Sequence, residues 1–260
     1  MDTDESRGSA EPPLRYDIKF NGVDFAYPER PDVLVLQNAT FRVKRNECVA
    51  LVGTSGSGKS TVAALLQRLY EPTEGSITIG NADISTVTVQ HLREHISVVS
   101  QFANLFNATI AENIAYGNKS LPRSTIERAA KAACVHDFIM SLPKRYDTVI
   151  GDNATLVSGG QAQRIQIARA LARPSSILVL DECTSALDPA NQLAVMDTIR
   201  SVKEGRTTIV ITHKLQVMHL CERIIVMHEG AIVEEGTFPQ LMHRNGVFAR
   251  LARGGEWTGE

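Results

Sequence analysis

Eight consecutive residues, Gly53-Thr54-Ser55-Gly56-Ser57-Gly58-Lys59-Ser60, fit the pattern G-x-x-x-x-G-K-[ST] at every fixed position. They follow the apolar run Val49-Ala50-Leu51-Val52 and open a helical pattern over 59–70, so the loop joins a buried strand to a helix. Glycines let the backbone wrap closely round phosphates, and the loop N–H groups and the helix N-terminus supply positive potential. Lys59 can then reach the β- and γ-phosphates of a nucleotide, Ser60 can ligate Mg2+, and Thr61 completes the phosphate-facing first turn. The bland reading is a glycine-rich turn with no ligand; the strand–loop–helix context argues against it.

A second group is Ile177-Leu178-Val179-Leu180-Asp181-Glu182, an apolar strand ending in two acids. A carboxylate at the C-terminal end of a parallel strand lies on the rim where ligands bind. Asp181 is placed to hold Mg2+ or its waters, and Glu182 to polarise an attacking water. An acidic N-cap for the next helix is the alternative, yet Cys183-Thr184-Ser185 could cap by itself. His213 ends the run 207–212, again at the rim, and Gln101 follows the short apolar run 97–100, where it could meet Mg2+ or the attacking water. Tyr27, after an early strand, could stack on adenine.

Ser158-Gly159-Gly160-Gln161 opens a long helical pattern. Ser158 is a natural N-cap, but two glycines are costly at a helix start unless something approaches the backbone closely. This is a second anion site, about 100 residues beyond the first. One nucleotide does not easily need two helix ends of one chain, so a second chain is implied. His91 and His95, four apart, could bind a metal in principle, but no carboxylate or thiol partner is evident and solvated side chains are expected. Lys119, Lys131, Lys144 and Arg145 read as a solvated face.

The elements that must carry these residues follow from the apolar periods. Alternation at Ile18, Phe20, Val23 and Phe25 predicts a half-buried antiparallel strand over 16–27, followed by strands near 33–43 and 47–52. A helix is expected over 59–70 and a hairpin turn at Gly80-Asn81. Residues 109–144 read as helical with no strand. Helices over 159–172, 189–201 and 214–220 then alternate with strands over 176–180 and 207–212. A hairpin at Glu229-Gly230 and one last helix over 239–252 complete the pattern. The fold class is therefore α/β: a P-loop core with a mostly parallel sheet, an N-terminal antiparallel β subdomain and an inserted α-helical subdomain at about 105–166. Residues 1–14, acidic and polar without an apolar signal region, read as a flexible leader or linker before a domain over 15–260.

The formal net charge of −2 provides no basic field for nucleic acid. Apolar runs such as Ile177-Leu178-Val179-Leu180 fall far short of the roughly 20 residues that span a bilayer. The four cysteines, Cys48, Cys134, Cys183 and Cys221, are scattered without a CxxC pair, which suggests reduced cytosolic thiols.

The order of these motifs resembles the nucleotide-binding domain of ABC transporters, over about 16–252. By that resemblance Tyr27 is the A-loop aromatic, residues 53–60 the Walker A motif and Gln101 the Q-loop glutamine. Residues 157–161 are similar to the family signature, Asp181 and Glu182 complete Walker B, 185–188 look like the D-loop, and His213 is similar to the switch histidine. The resemblance implies a head-to-tail dimer with two MgATP between each P-loop and the partner's signature. Tyr27-Pro28-Glu29-Arg30-Pro31, Arg68-Leu69-Tyr70-Glu71-Pro72 and the stretch 105–117 look most like exporters, which fuse this domain to membrane helices. The last stretch lies where the family receives the coupling helices of the membrane part. Val157, Asp152, Cys183 and Asn46 depart from the usual residues, and none of them removes a catalytic group. The resemblance thus implies an ATP-hydrolysing exporter domain at the cytosolic or matrix face of a membrane. A separate ATPase subunit of an importer and a non-transport relative are the alternatives; the latter would call for a coiled coil or tandem copies.

Overall fold

The computed structural model describes residues 16–118, 120–150, 157–183, 187–201 and 205–254. Strand β1 (Ile18–Ala26) buries Ile18, Phe20, Val23 and Phe25. That set is out of strict alternation by one residue, and a register shift between Phe20 and Val23 accounts for it: Gly22, at φ 58°, takes up the extra residue in a bulge. Strand β1 pairs antiparallel with β2 (Leu34–Val43) on one side. The chain then crosses to a second sheet as β3 (Cys48–Gly53), turns into α1 (Lys59–Leu66), and returns as β4 (Glu74–Ile79), on the other side of β1. A hairpin at Gly80-Asn81 leads to β5 (Ala82–Asp83), as the sequence predicts.

Helix α2 (Val89–His95) is capped by Thr88, whose hydroxyl accepts the His91 N–H, and feeds β6 (Ile96–Val99). A mainly helical stretch follows, with β7 (Ala108–Thr109), α3 (Ile110–Ile114), α4 (Arg123–Ala132), α5 (His136–Ser141) and β8 (Val149–Ile150). The last third alternates: α6 (Gly159–Ala172), β9 (Ile177–Asp181), α7 (Pro189–Ser201), β10 (Thr207–Ile211), α8 (Leu215–Leu220) and β11 (Arg223–His228). Then come β12 (Ala231–Gly236), α9 (Phe238–Arg244) and α10 (Val247–Ala252).

Among the described residues, the main sheet runs β12-β11-β3-β10-β9-β6, parallel except for the β11–β12 hairpin. Strand β3 is buried on both faces. Val49 and Leu51 join the core under the antiparallel sheet and α1, while Ala50 and Val52 pack with Met218, Leu241 and Phe248. A third core joins α3, α4, α5 and α6 to the other side of the main sheet through Leu178, Leu180 and Val210. This is the α/β class expected.

Four expectations need correction. Helix α1 stops at Leu66 instead of 70. Arg68 takes φ 53° and buries its guanidinium on the carbonyls of Ile84 and Val87, a tertiary site that outbids the helix. The helical stretch loses its first residue, Thr109, to a two-stranded ribbon that brackets it, since β7 pairs with β8. The single last helix is two, broken at Asn245 (φ 51°) and Gly246. The Glu234 carboxylate accepts the N–H groups of Val247 and Phe248 at 3.0 and 2.9 Å and so caps α10. A Cβ at Gly246 would fall 1.7 Å from a Glu234 oxygen. Finally, His91 and His95 are half-buried and pack on each other with ring centroids 4.7 Å apart, and His95 stacks on Tyr16. No metal-binding group of three or more His, Cys, Asp or Glu occurs among the described residues. Lys131, Lys144 and Arg145 are exposed as expected; Lys119, Asp152, the D-loop residues 185 and 186, and residues 1–14 lie outside the described residues.

Candidate active site

The phosphate loop leaves the C-terminal end of β3, and its glycines are required by space as well as by torsion. A Cβ at Gly53 would lie 2.2 Å from the Met227 carbonyl oxygen, and one at Gly58 2.6 Å from Leu36 Cδ2. Gly58 sits at φ 99° as the cap of α1. The loop folds round its own lysine: Lys59 Nζ donates to the carbonyls of Gly53 and Thr54 at 3.0 and 2.6 Å and to Ser57 Oγ at 3.2 Å. Burial lowers the Lys59 pKa, while the charges of Glu182 and Asp181 raise it in part. A desolvated ammonium ringed by neutral oxygens gains from an arriving phosphate.

Parallel register sets Asp181, the last residue of β9, beside Ile211 at the end of β10. Burial pushes the Asp181 carboxyl above its ordinary range and the neighbouring Glu182 charge adds to this, against a hydrogen bond from the Ser60 hydroxyl and the Lys59 charge. Glu182 takes φ 47°, and its N–H donates to Ile211 O at 3.0 Å. That left-handed turn swings its carboxylate to Gln101, whose Nε2 donates to Glu182 Oε2 at 3.2 Å, with His213 Nδ1 3.7 Å from Oε1. The next residue, Cys183, is buried and its thiol is pushed up to about 12 by that burial, so no thiolate nucleophile stands beside the acids.

One cavity of about 680 Å3 gathers most of the residues singled out from sequence. Tyr27, Lys59, Ser60, Gln101, Glu182 and His213 line it, with Gly53, Ser55, Gly56, Gly58 and Thr61. Tyr27 is held by a 3.0 Å hydrogen bond between its hydroxyl and that of Thr61, and by edge-on contacts with Phe25 and Tyr70. Thr54 and Ser57 serve the loop from within, through Lys59. Val35 also lines the cavity, and a neighbouring one of about 340 Å3 extends along Tyr27, Glu29, Arg30, Val33 and Val35. Sequence reasoning missed Val35, because a strand valine carries no mark of the ligand side.

Ser158, Gly159, Gly160 and Gln161 do not line that cavity. They start α6 as a capping box: Ser158 Oγ accepts from Gln161 N at 3.3 Å, and Gln161 Oε1 accepts from Ser158 N at 2.7 Å. Ser158 and Gly159 are exposed. Further along α6, Gln163 and Gln166 donate to the Ser100 carbonyl and hydroxyl beside Gln101. Arg169 reaches the Asn113 carbonyl and side-chain oxygen at 2.7 and 3.0 Å, and lies over the stacked rings of Phe106 and Tyr116. Those rings edge a groove of about 950 Å3 with Ala108, Ala111 and Ala115; Phe106 is 42% and Tyr116 53% exposed.

A glycine loop round a buried lysine, an acid pair on the next strand but one, and a glutamine and a histidine on the second acid define a P-loop nucleotide hydrolase. The pattern of the ABC transporter family matches residues 36–185, more than half of the chain. The chain belongs to that family, as an ATP-binding and ATP-hydrolysing domain. It is 46% identical over 90% of its length to mouse ATP-binding cassette sub-family B member 5, of which it covers 19%. It is 45% identical over 92% of its length to the ATP-dependent lipid A-core flippase of Chromohalobacter salexigens, covering 42% of that protein. The solved structure of a bacterial Atm1-family ABC exporter with ATP bound matches 98% of the chain with a TM-score of 0.90 at 39% identity, and the chain covers 44% of it. The chain thus spans less than half of the relatives it matches. No helix among its described residues is long and apolar enough to cross a membrane.

Proposed function

We propose that the chain is the motor domain of an exporter, working as a head-to-tail dimer around two MgATP. The observation that carries this reading is the separation of two anion-ready helix starts. Lys59 opens one inside the cavity, while the Ser158-Gly159-Gly160 start of α6, exposed at its first two residues, does not line the cavity of its own chain. In a dimer each α6 start completes the γ-phosphate shell of the partner's nucleotide.

In this scheme Tyr27 stacks on adenine, residues 53–61 cradle the phosphates, Glu182 polarises the attacking water, and Gln101 and His213 orient it. The Ser60 hydroxyl, the Asp181 carboxylate and the Gln101 amide form an all-oxygen donor set, suited to a small hard cation. Mg2+ there would neutralise charge developing on the phosphates. The Phe106–Tyr116 groove is the docking face for helices of the membrane domain, at the cytosolic or matrix side. Arg169 links that groove to α6, and Gln163 and Gln166 link α6 to the Gln101 loop, so contacts run from the membrane side to the nucleotide. We assign residues 15–260 to the ATPase domain, with the helical subdomain at about 105–166 and a linker before it.

Light scattering of Glu182→Gln tests the dimer, because slowed hydrolysis cannot reset it. A dimer with MgATP and a monomer with MgADP is the expected result. A dimer indifferent to nucleotide would overturn the sandwich.

A further inference from the structure

The four cysteines are scattered along the sequence. All four cysteines are thiols, yet two that stand 173 residues apart in sequence meet in space: Cys48 Sγ lies 3.9 Å from Cys221 Sγ. Cys48 opens β3, the strand that carries the phosphate loop, and is 2% exposed; Cys221 follows the last residue of α8 and is half-buried. The backbone holds them side by side. The Glu222 N–H donates to the Cys48 carbonyl at 2.9 Å, and from Val49 and Arg223 onward β3 and β11 run in parallel register.

We propose that Cys48 and Cys221 are a redox modification site, a thiol pair that hydrogen peroxide converts to a reversible disulfide. Disulfide sulfurs stand about 2 Å apart, so the pair must close by roughly another 2 Å. Torsion at Cys221, at the end of a six-residue helix, supplies that movement more cheaply than any shift of the central strand. Cys221 is the less buried residue of the pair and reacts first. Its thiolate attacks one peroxide oxygen, the O–O bond breaks, and a sulfenic acid and one water result. The Cys48 thiol then attacks the sulfenic sulfur; the S–S bond forms, the S–O bond breaks, and the second water leaves with the Cys48 proton. Two thiols lose two electrons and two protons, and one peroxide becomes two waters. Burial raises the thiols of both Cys134 and Cys183, and Cys183 is 2% exposed.

The new bond would tie the entry of β3 to the segment joining α8 and β11. Helix α8 begins two residues after His213, so the crosslink restrains the stretch that follows the histidine beside Glu182.

The test treats the reduced chain with hydrogen peroxide, alkylates it in denaturant, and maps its peptides by mass spectrometry. Two of the four thiols should become unreactive, a Cys48–Cys221 peptide pair should appear, and the chain should stay monomeric on a non-reducing gel. Dithiothreitol should restore all four thiols. Cys221→Ser should abolish the linked pair while Cys134→Ser leaves it intact. A bond involving Cys134 or Cys183, a crosslink between chains, or Cys221 driven to sulfinic acid while Cys48 still alkylates would each overturn the proposal.

Discussion

At Lys59 burial and charge oppose one another. Its ammonium is desolvated and satisfied by loop oxygens. Lys59→Ala leaves the loop glycines in place but removes the cation. MgATP affinity should fall by about 100-fold, the worth of one or two charge-assisted hydrogen bonds; calorimetry giving parental affinity would remove Lys59 from the phosphate site. Glu182→Gln keeps the side chain's size and an oxygen to accept from Gln101, but loses the charge proposed to polarise water. Turnover should drop by ~10²–10⁴-fold with binding retained, read by phosphate release. Asp181 carries a cost of its own. Its folded pKa is raised, so the ionised form is less favoured in the folded than in the unfolded chain, and ionisation subtracts stability as pH rises through the ordinary carboxylate range. Asp181→Asn should therefore melt higher than the parent at neutral pH without nucleotide, with the gap closing toward pH 4, while hydrolysis is lost. A lower melting point at neutral pH would show the carboxylate to be stabilising.

Between elements, Arg223 ties three strands together. It donates to Glu47 at the entry of β3 and to Glu235 on β12, and it also reaches the Arg42 carbonyl of β2. Burial pushes the Glu47 carboxyl up. The Arg223 hydrogen bond, the Lys44 N–H and the charges of both residues outweigh it, leaving the pKa below its ordinary value. A depressed carboxylate stabilises the fold above its unfolded pKa, and that support is lost as pH falls through the folded value. Arg223→Met should cost about 3 kcal/mol at neutral pH, since Glu47 keeps a partly buried charge without its cation. Denaturant titration should show the difference between the two proteins shrinking in acid. A deficit that stays constant with pH would mean that packing, not charge, was lost.

At the scale of the whole molecule, the proposed dimer would couple nucleotide to partner through geometry. The α6 start is already capped by its own box before any ligand arrives, and its exposed Ser158 and Gly159 do not line the cavity of their own chain. Two ATP molecules would each bridge two chains across a contact otherwise polar and weak. ADP lacks the bridging phosphate, and its formation should let the chains part. Ser158→Arg in the Glu182→Gln background places bulk and charge at that start, which does not line the cavity of its own chain. It should keep MgATP binding yet stay monomeric in light scattering. Loss of nucleotide binding in this variant would mean that the α6 start serves its own chain's cavity.

Much of the fold and site was legible because it is written in local terms. The G-x-x-x-x-G-K-S run, the apolar strand ending in Asp181-Glu182 and the Ser158–Gln161 box each state their chemistry within a few residues, and the strand–helix alternation orders them. The early end of α1, the break at Asn245-Gly246 and the bulge at Gly22 were not legible in advance. Arg68 and Gly246 answer to partners distant in sequence: the Ile84 and Val87 carbonyls and Glu234. Tertiary structure alone turned Glu182 toward both Gln101 and His213, through a left-handed backbone at one residue, and set Val35 beside Tyr27. It also decided that Cys48 meets Cys221, because only the pairing of β11 with β3 brings together two residues so far apart along the chain. Sequence determines what a residue can do and which local element carries it; long-range pairing, set by burial of the apolar faces, determines what stands opposite.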